Sequence, residues 1–176
     1  MTTSADAAVV PEALNPLAWL IGRWVGVGVV GYPTMEEDLQ FGQEMSFSTD
    51  GRPFLSYWSR SWLLDADGNQ VRPLATETGF WRPRPDNHVE LVMSHPTGYA
   101  EIYVGQVTVT EIVDATITGA RAELHTDVVA RTESAKEYTA GTRLIGLVNG
   151  DLLWAYDMAA VGVALTSHLS AKLSRA

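Results

Sequence analysis

The sequence predicts an all-β fold, an antiparallel up-and-down barrel of about ten strands with a short N-terminal helix. Three observations point there. Turn dipeptides recur along the chain: Asp50-Gly51, Asp67-Gly68 and Asn149-Gly150 accept the positive φ of tight hairpins, and His95-Pro96-Thr97-Gly98 carries Pro and Gly where a type I turn places them. The intervening segments alternate, with Leu152, Trp154, Tyr156 and Met158 on one strand face and Phe54, Trp58 and Trp62 on another. No long helical periodicity separates them, which disfavours βαβ crossovers and a parallel sheet and leaves a sandwich or a closed barrel. Closure buries every edge, and Gly26, Gly28 and Gly31 let the first strand bend past neighbouring backbone, so the barrel is preferred.

Taken in order, residues 1–12 are small and weakly patterned and read as a flexible tail, leaving 13–176 as one barrel domain. Asn15 is placed to cap a helix, Pro16 suits its first position, Leu17, Trp19, Leu20 and Ile21 supply apolar surface, and Gly22 ends it. A helix of about two turns persists only when packed against something. Farther along, the apolar phase moves from Ile102 and Val104 to Val107 and Val109, which predicts a bulge or kink near Gly105. The faces around Trp58 and Trp154 are expected to form part of a cavity wall. The strand containing His168, Thr166 to Ser174, closes the barrel.

Composition narrows the function. Apolar residues make up 46% and charged residues 19%, ordinary for a globular domain. A net charge of −9 and a pI near 4.8 work against phosphate backbones and anionic membrane surfaces, which demand clustered Lys and Arg. Neither nucleic acid nor membrane is an expected partner. The absence of cysteine excludes disulfides, thiolate nucleophiles, Cys-ligated zinc, iron–sulfur clusters and covalent c-type haem. The first basic residue is Arg23 and no apolar run approaches the roughly 18 residues of a membrane span, so a cytoplasmic location is expected.

Several catalytic motifs are missing. There is no Gly-x-Ser-x-Gly elbow, so Thr166-Ser167-His168 reads as a coincidence rather than a hydrolase triad. The string Gly26-Val27-Gly28-Val29-Val30-Gly31 fits a dinucleotide fingerprint only in letters, because Pro33 and Glu36-Glu37-Asp38 follow where a helix is required. His88 and His125 have no partner at metal-ligand spacing, and His95 most simply serves its own turn. From its local sequence alone, His168 reads as a surface or hydrogen-bonded strand residue.

A set of segments in order carries a stronger signal: Gly22-Arg23-Trp24-Val25-Gly26-Val27-Gly28, Gly31-Tyr32-Pro33-Thr34, Glu77-Thr78-Gly79, His95-Pro96-Thr97-Gly98, Ala135-Lys136-Glu137 and His168-Leu169. Together they resemble the nitrobindins, haem-binding β-barrels also described as peroxynitrite isomerases and similar in fold to lipocalins and fatty-acid-binding proteins. Gly-x-Trp alone is shared with lipocalins, where the Trp packs across the closed end of the barrel. The resemblance covers roughly residues 15 to 175. It implies one non-covalent haem b per chain with His168 as axial iron ligand, and it places Thr34 and Lys136 beside the haem, Lys136 suited to pair with a propionate. It further implies isomerisation of peroxynitrite to nitrate and binding of nitric oxide, by a monomer or homodimer. One stretch departs: Gly162-Val163-Ala164-Leu165 stands where the family pattern reads like Gly-Gln-Pro-Leu. The alternative is a non-catalytic carrier of a fatty acid or other small lipophile, which an inward cationic pair such as Arg131 and Arg143 would favour.

Overall fold

The computed structural model describes residues 9–176. Most of the expected N-terminal tail, residues 1–8, lies outside them. Ten strands follow a single short helix: β1 Gly22–Val30, β2 Leu39–Ser48, β3 Leu55–Leu64, β4 Gln70–Pro83, β5 His88–His95, β6 Tyr99–Val113, β7 Thr116–Arg131, β8 Tyr138–Val148, β9 Asp151–Ala160 and β10 Val163–Arg175. Every neighbouring pair is antiparallel, and β1 pairs with both β2 and β10, so the sheet closes as the turn signals and alternation predict. The seam is continuous from Trp24 opposite Arg175 to Val30 opposite Leu169.

The helix differs from expectation in start and type. It is a 3₁₀ segment, Glu12–Leu20, that begins after Pro11, and Asn15 lies inside it rather than capping it. The leucine spacing explains this. Leu14, Leu17 and Leu20 recur every third residue, which aligns them on one face of a helix with three residues per turn, and all three are fully buried. Trp24 is fully buried behind them, its Nε1 donating to the Leu20 carbonyl at 2.8 Å and its ring covered by the Arg175 guanidinium at 4.2 Å. This is the closed-end tryptophan that the Gly-x-Trp element implies. Beside it, a Cβ on Gly26 would stand 2.0 Å from the Lys172 carbonyl oxygen, so the seam requires glycine there.

The turns fall where the sequence places them, although at Asp50-Gly51 and Asp67-Gly68 only the glycine takes a positive φ, in the longer connections 49–54 and 65–69. Asn149 and Gly150 take φ of 53° and 83°, and the Gly98 N–H donates to the His95 carbonyl at 3.1 Å with Gly98 at φ 96°. The bulge expected near Gly105 is elsewhere. Along β6 the inward positions are Glu101, Tyr103 and Val107, while Ile102 and Val104 are apolar residues on the outer face that imitate a change of phase. The pairing slips before Gly105, between Ile102 opposite Val128 and Tyr103 opposite Thr126, because β7 carries an extra residue there.

One of the two tryptophans placed on the cavity wall is on the wrong side. Trp154 points inward and is buried, but Trp58 is 37% exposed on the outer face, beneath the Arg60 guanidinium. The inner face of β3 belongs instead to Leu55, Tyr57, Ser59, Ser61 and Leu63.

Candidate functional site

Connections 31–38, 65–69, 96–98, 132–137 and 161–162 gather at the end of the barrel opposite the 3₁₀ segment. Below them, between β10 and β1–β4, lies a cavity of about 390 Å³, within the range of ligand pockets. Phe41, Leu63, Leu74, Trp154 and Leu169 supply its apolar walls, and Gln43, Ser59 and Glu77 its polar floor.

Two irregularities shape this cavity. On β10, Ser167 pairs with Asp157 and Leu169 with Tyr156, so His168 is an extra residue without a partner on β9. A bulge turns its side chain to the interior next to Leu169, out of phase with inward Ala171 and Leu173. On β4, nearly across the barrel, Arg60 pairs with Thr76 and Trp62 with Pro73, leaving Leu74 and Ala75 together opposite Ser61, whose hydroxyl accepts the Ala75 N–H at 3.2 Å. The inward set therefore switches from the odd positions Glu77, Gly79 and Trp81 to the even positions Leu74 and Arg72.

The His168 ring is held in one orientation. Its Nδ1 lies 3.0 Å from the Gly31 carbonyl oxygen, and because a carbonyl only accepts, Nδ1 carries the proton and Nε2 keeps its lone pair. Nε2 has no hydrogen-bond partner among the described residues. Tyr32 and Tyr156 meet the ring edge-on, with centroids 5.4 and 5.7 Å away. Tyr32 is itself fixed, since its hydroxyl accepts the Ala160 N–H at 2.9 Å and donates toward the Met158 and Ala160 carbonyls. Burial pulls the imidazole pKa below its usual value; the Gly31 carbonyl opposes that shift and the Arg143 charge adds to it. The result is a neutral, oriented imidazole with a free nitrogen, the form that binds a metal.

Beside the cavity, within an otherwise apolar core, the interior also holds a network of polar groups. The Arg143 guanidinium, 2% exposed, reaches Glu77 through two parallel bonds, Nη1 to Oε2 at 3.0 Å and Nη2 to Oε1 at 2.8 Å, and Tyr57 donates to the same carboxylate at 2.7 Å. Burial alone would raise the Glu77 pKa, but the Arg143 charge and hydrogen bonds outweigh it and hold the pKa below the ordinary carboxylate value. A second carboxylate, Glu101, accepts from Tyr103 at 2.7 Å and from Tyr138, and meets His95 Nε2. Against the cost of burial, His95, Arg143 and the two hydroxyls bring the Glu101 pKa down to about 2.

Of the residues singled out from the sequence, the fold brings His168, Thr34 and Lys136 to the same end. Thr34 and Lys136 are exposed in the 31–38 and 132–137 connections and do not line the cavity; the Lys136 carbonyl accepts from the Tyr99 hydroxyl at 2.9 Å. His88 and His125 are exposed on the outside, and no cluster of three or more metal-binding side chains occurs among the described residues. An inward pair of free cations would favour the carrier alternative. Arg143 does point inward but is bound to Glu77, and Arg131 is exposed and donates to the Ala135 carbonyl. Sequence reasoning names Glu77 only as part of a family-like segment, with no role, and passes over Glu101 and Arg72; only Pro73, out of place in a central strand, marks the β4 bulge beforehand.

Comparison with known proteins identifies the family and agrees with the fold. Residues 13–175 match the model of a family described as THAP4-like, heme-binding β-barrel domain. A protein of Nocardioides sp. named peroxynitrite isomerase is 51% identical over 92% of this chain and 92% of its own length. A ferric nitrobindin-like protein of Kineococcus radiotolerans is 46% identical over 94% of each. The crystal structure of Rv2717c from M. tuberculosis superposes with a TM-score of 0.85 at 35% identity, covering 96% of this chain and 99% of the other.

Proposed function

The chain belongs to the THAP4-like, heme-binding β-barrel family, and from that footing we propose that it holds one haem b through His168 and isomerises peroxynitrite to nitrate, with nitric oxide as a further ligand. The observation that carries this reading is His168 itself: a bulged, neutral imidazole with Nδ1 occupied by the Gly31 carbonyl and Nε2 free at an apolar cavity open to the mouth. Bound there, ferric haem would supply the redox-active Lewis acid that the chain's own side chains lack.

The protein's part is to hold, orient and exclude. Gly31, Tyr32 and Tyr156 keep the imidazole from rotating, which maintains its tautomer and its aim. Across the barrel Leu63, Leu74 and Ala75 present no ligating atom, leaving space for a small oxyanion. Phe41, Leu169 and Trp154 keep bulk water from the walls, and Thr34 and Lys136 stand at the rim, Lys136 able to meet a propionate. The names of the similar proteins from Nocardioides and Kineococcus support the same activity and the ferric state.

Titration with haemin tests it. The parent protein should give a saturable Soret band and accelerate peroxynitrite decay. His168→Ala should weaken haemin binding about 100-fold or more, beyond what loss of a supporting contact costs, with an unchanged far-ultraviolet dichroism spectrum. His125→Ala, on the outer face, should match the parent. Equal spectra and equal decay rates for the parent and His168→Ala would remove His168 as the ligand.

A further inference from the structure

The cavity has one cation at its opening that neither the motifs nor the family match assigns. We propose that Arg72 is a carboxylate-binding residue of this site and pairs with a haem propionate; the proposal rests on the haem reading above and extends it.

Arg72 would face outward in an unbroken β4. The bulge at Leu74 and Ala75 inverts the phase, and Arg72 then pairs with Leu63, an inward residue 8% exposed, so both side chains lie on the cavity side of the sheet. Among the described residues Arg72 is the single Lys or Arg lining the cavity. No carboxylate lies within 4.0 Å of it among the described residues, and its guanidinium makes one long bond, to the Pro73 carbonyl at 3.4 Å. Arg143, the inward arginine of the core, is consumed by Glu77, whereas Arg72 has no carboxylate partner among the described residues and keeps most of its donors open.

The surrounding charge gives Arg72 its role. Glu36, Glu37 and Asp38 in one mouth connection, Asp65 and Asp67 in another and Glu133 and Glu137 in a third outweigh Lys136 and make the rim acidic, in a chain already at net charge −9. Such a rim repels a ligand with free carboxylates except where a cation stands beside the opening. A planar guanidinium matches a carboxylate through two parallel hydrogen bonds, and the apolar stem of Arg72 lies beside Leu63 and Leu74, which suits a ligand whose body is apolar and whose edge is anionic.

Two porphyrins separate this role from simple packing: haemin, and its dimethyl ester, in which both propionates are blocked. Arg72→Gln should weaken haemin binding about three- to tenfold, more at low salt than at high, as befits a partly exposed arginine–carboxylate pair. Arg72→Lys should recover part of the loss, and the dimethyl ester should bind the parent and Arg72→Gln equally. Unchanged haemin affinity in Arg72→Gln, or the same loss with the ester, would overturn the assignment while leaving His168 as ligand. Failure of the parent to bind haemin at all would instead overturn the haem reading and this inference with it.

Discussion

Across β5–β8 the inward positions carry Glu101, Tyr103 and Tyr138, bonded to one another, and Arg143, which reaches across to Glu77 of β4, and together they fill the space, whereas across β1–β4 and β10 Leu39, Phe41, Leu63 and Leu74 leave a cavity. Both halves belong to one closed sheet with the same inward–outward alternation. The difference is where bulges fall and whether polar groups are partnered inside. In the filled half, guanidinium, carboxylates and phenols form a rigid wall that no apolar ligand can displace without leaving buried charges unpaired. In the open half, two bulges bring His168 and Arg72 to a space that the protein leaves for something else. One half is a scaffold and the other a receptacle.

The sharpest way to break this contrast is to remove the scaffold's charge. Arg143→Met strands Glu77 in the interior and should cost about 3–5 kcal/mol in urea unfolding; adding Glu77→Leu, which removes the orphaned charge, should restore much of it. A double variant no more stable than the single one would show that the pair is not the source of the wall's rigidity. Acid unfolding gives the next largest effect. Glu101 titrates near 2 in the folded protein against 4.5 for a free side chain, so its contribution is fully present above 4.5 and is lost as pH falls through about 2. That contribution is on the order of 3 kcal/mol, and the fall in urea midpoint between pH 5 and pH 2 should flatten in Glu101→Gln. The smallest effect lies in the receptacle. Half-buried Leu74 already borders a void, so Leu74→Ala should cost about 1 kcal/mol, against about 2–5 kcal/mol for Leu124→Ala in the filled half. Equal losses at the two leucines, measured by the same unfolding, would erase the distinction.

The same contrast explains what the sequence reveals. Turns and strand order are legible because Asn-Gly, Asp-Gly and Pro-x-Gly carry their backbone conformation with them, and the inward phase of β9 is legible because Leu152, Trp154 and Tyr156 pack as core. On β3 alternation identifies two faces but not which is inside. A strand that lines a cavity puts small polar Ser59 and Ser61 inward and leaves Trp58 and Trp62 outward, so its greasier face is the wrong guide. Glu77 and Arg143 are adjacent only after β4 and β8 take their places around the ring, and nothing within six residues of either announces the pair. His168 is legible through the family resemblance alone, because Thr166-Ser167-His168-Leu169-Ser170 reads locally as a solvent-facing strand until the bulge turns it. The leucine spacing that sets the 3₁₀ segment was visible, but Asn15-Pro16 looks so much like a helix start that it hides a beginning at Glu12.

The seam between β1 and β10 joins residues from the two ends of the domain, Val25 opposite Ser174, and His168 rides on the strand that makes it. Such distant pairing carries the largest loop-closure cost in the sheet. Closing the ring and completing the face that carries His168 are therefore a single event in the life of the chain. An incompletely synthesised or C-terminally clipped copy would lack both at once, and a ligand that engages His168 acts as an inspector of assembly, stabilising only molecules whose first and last strands have met.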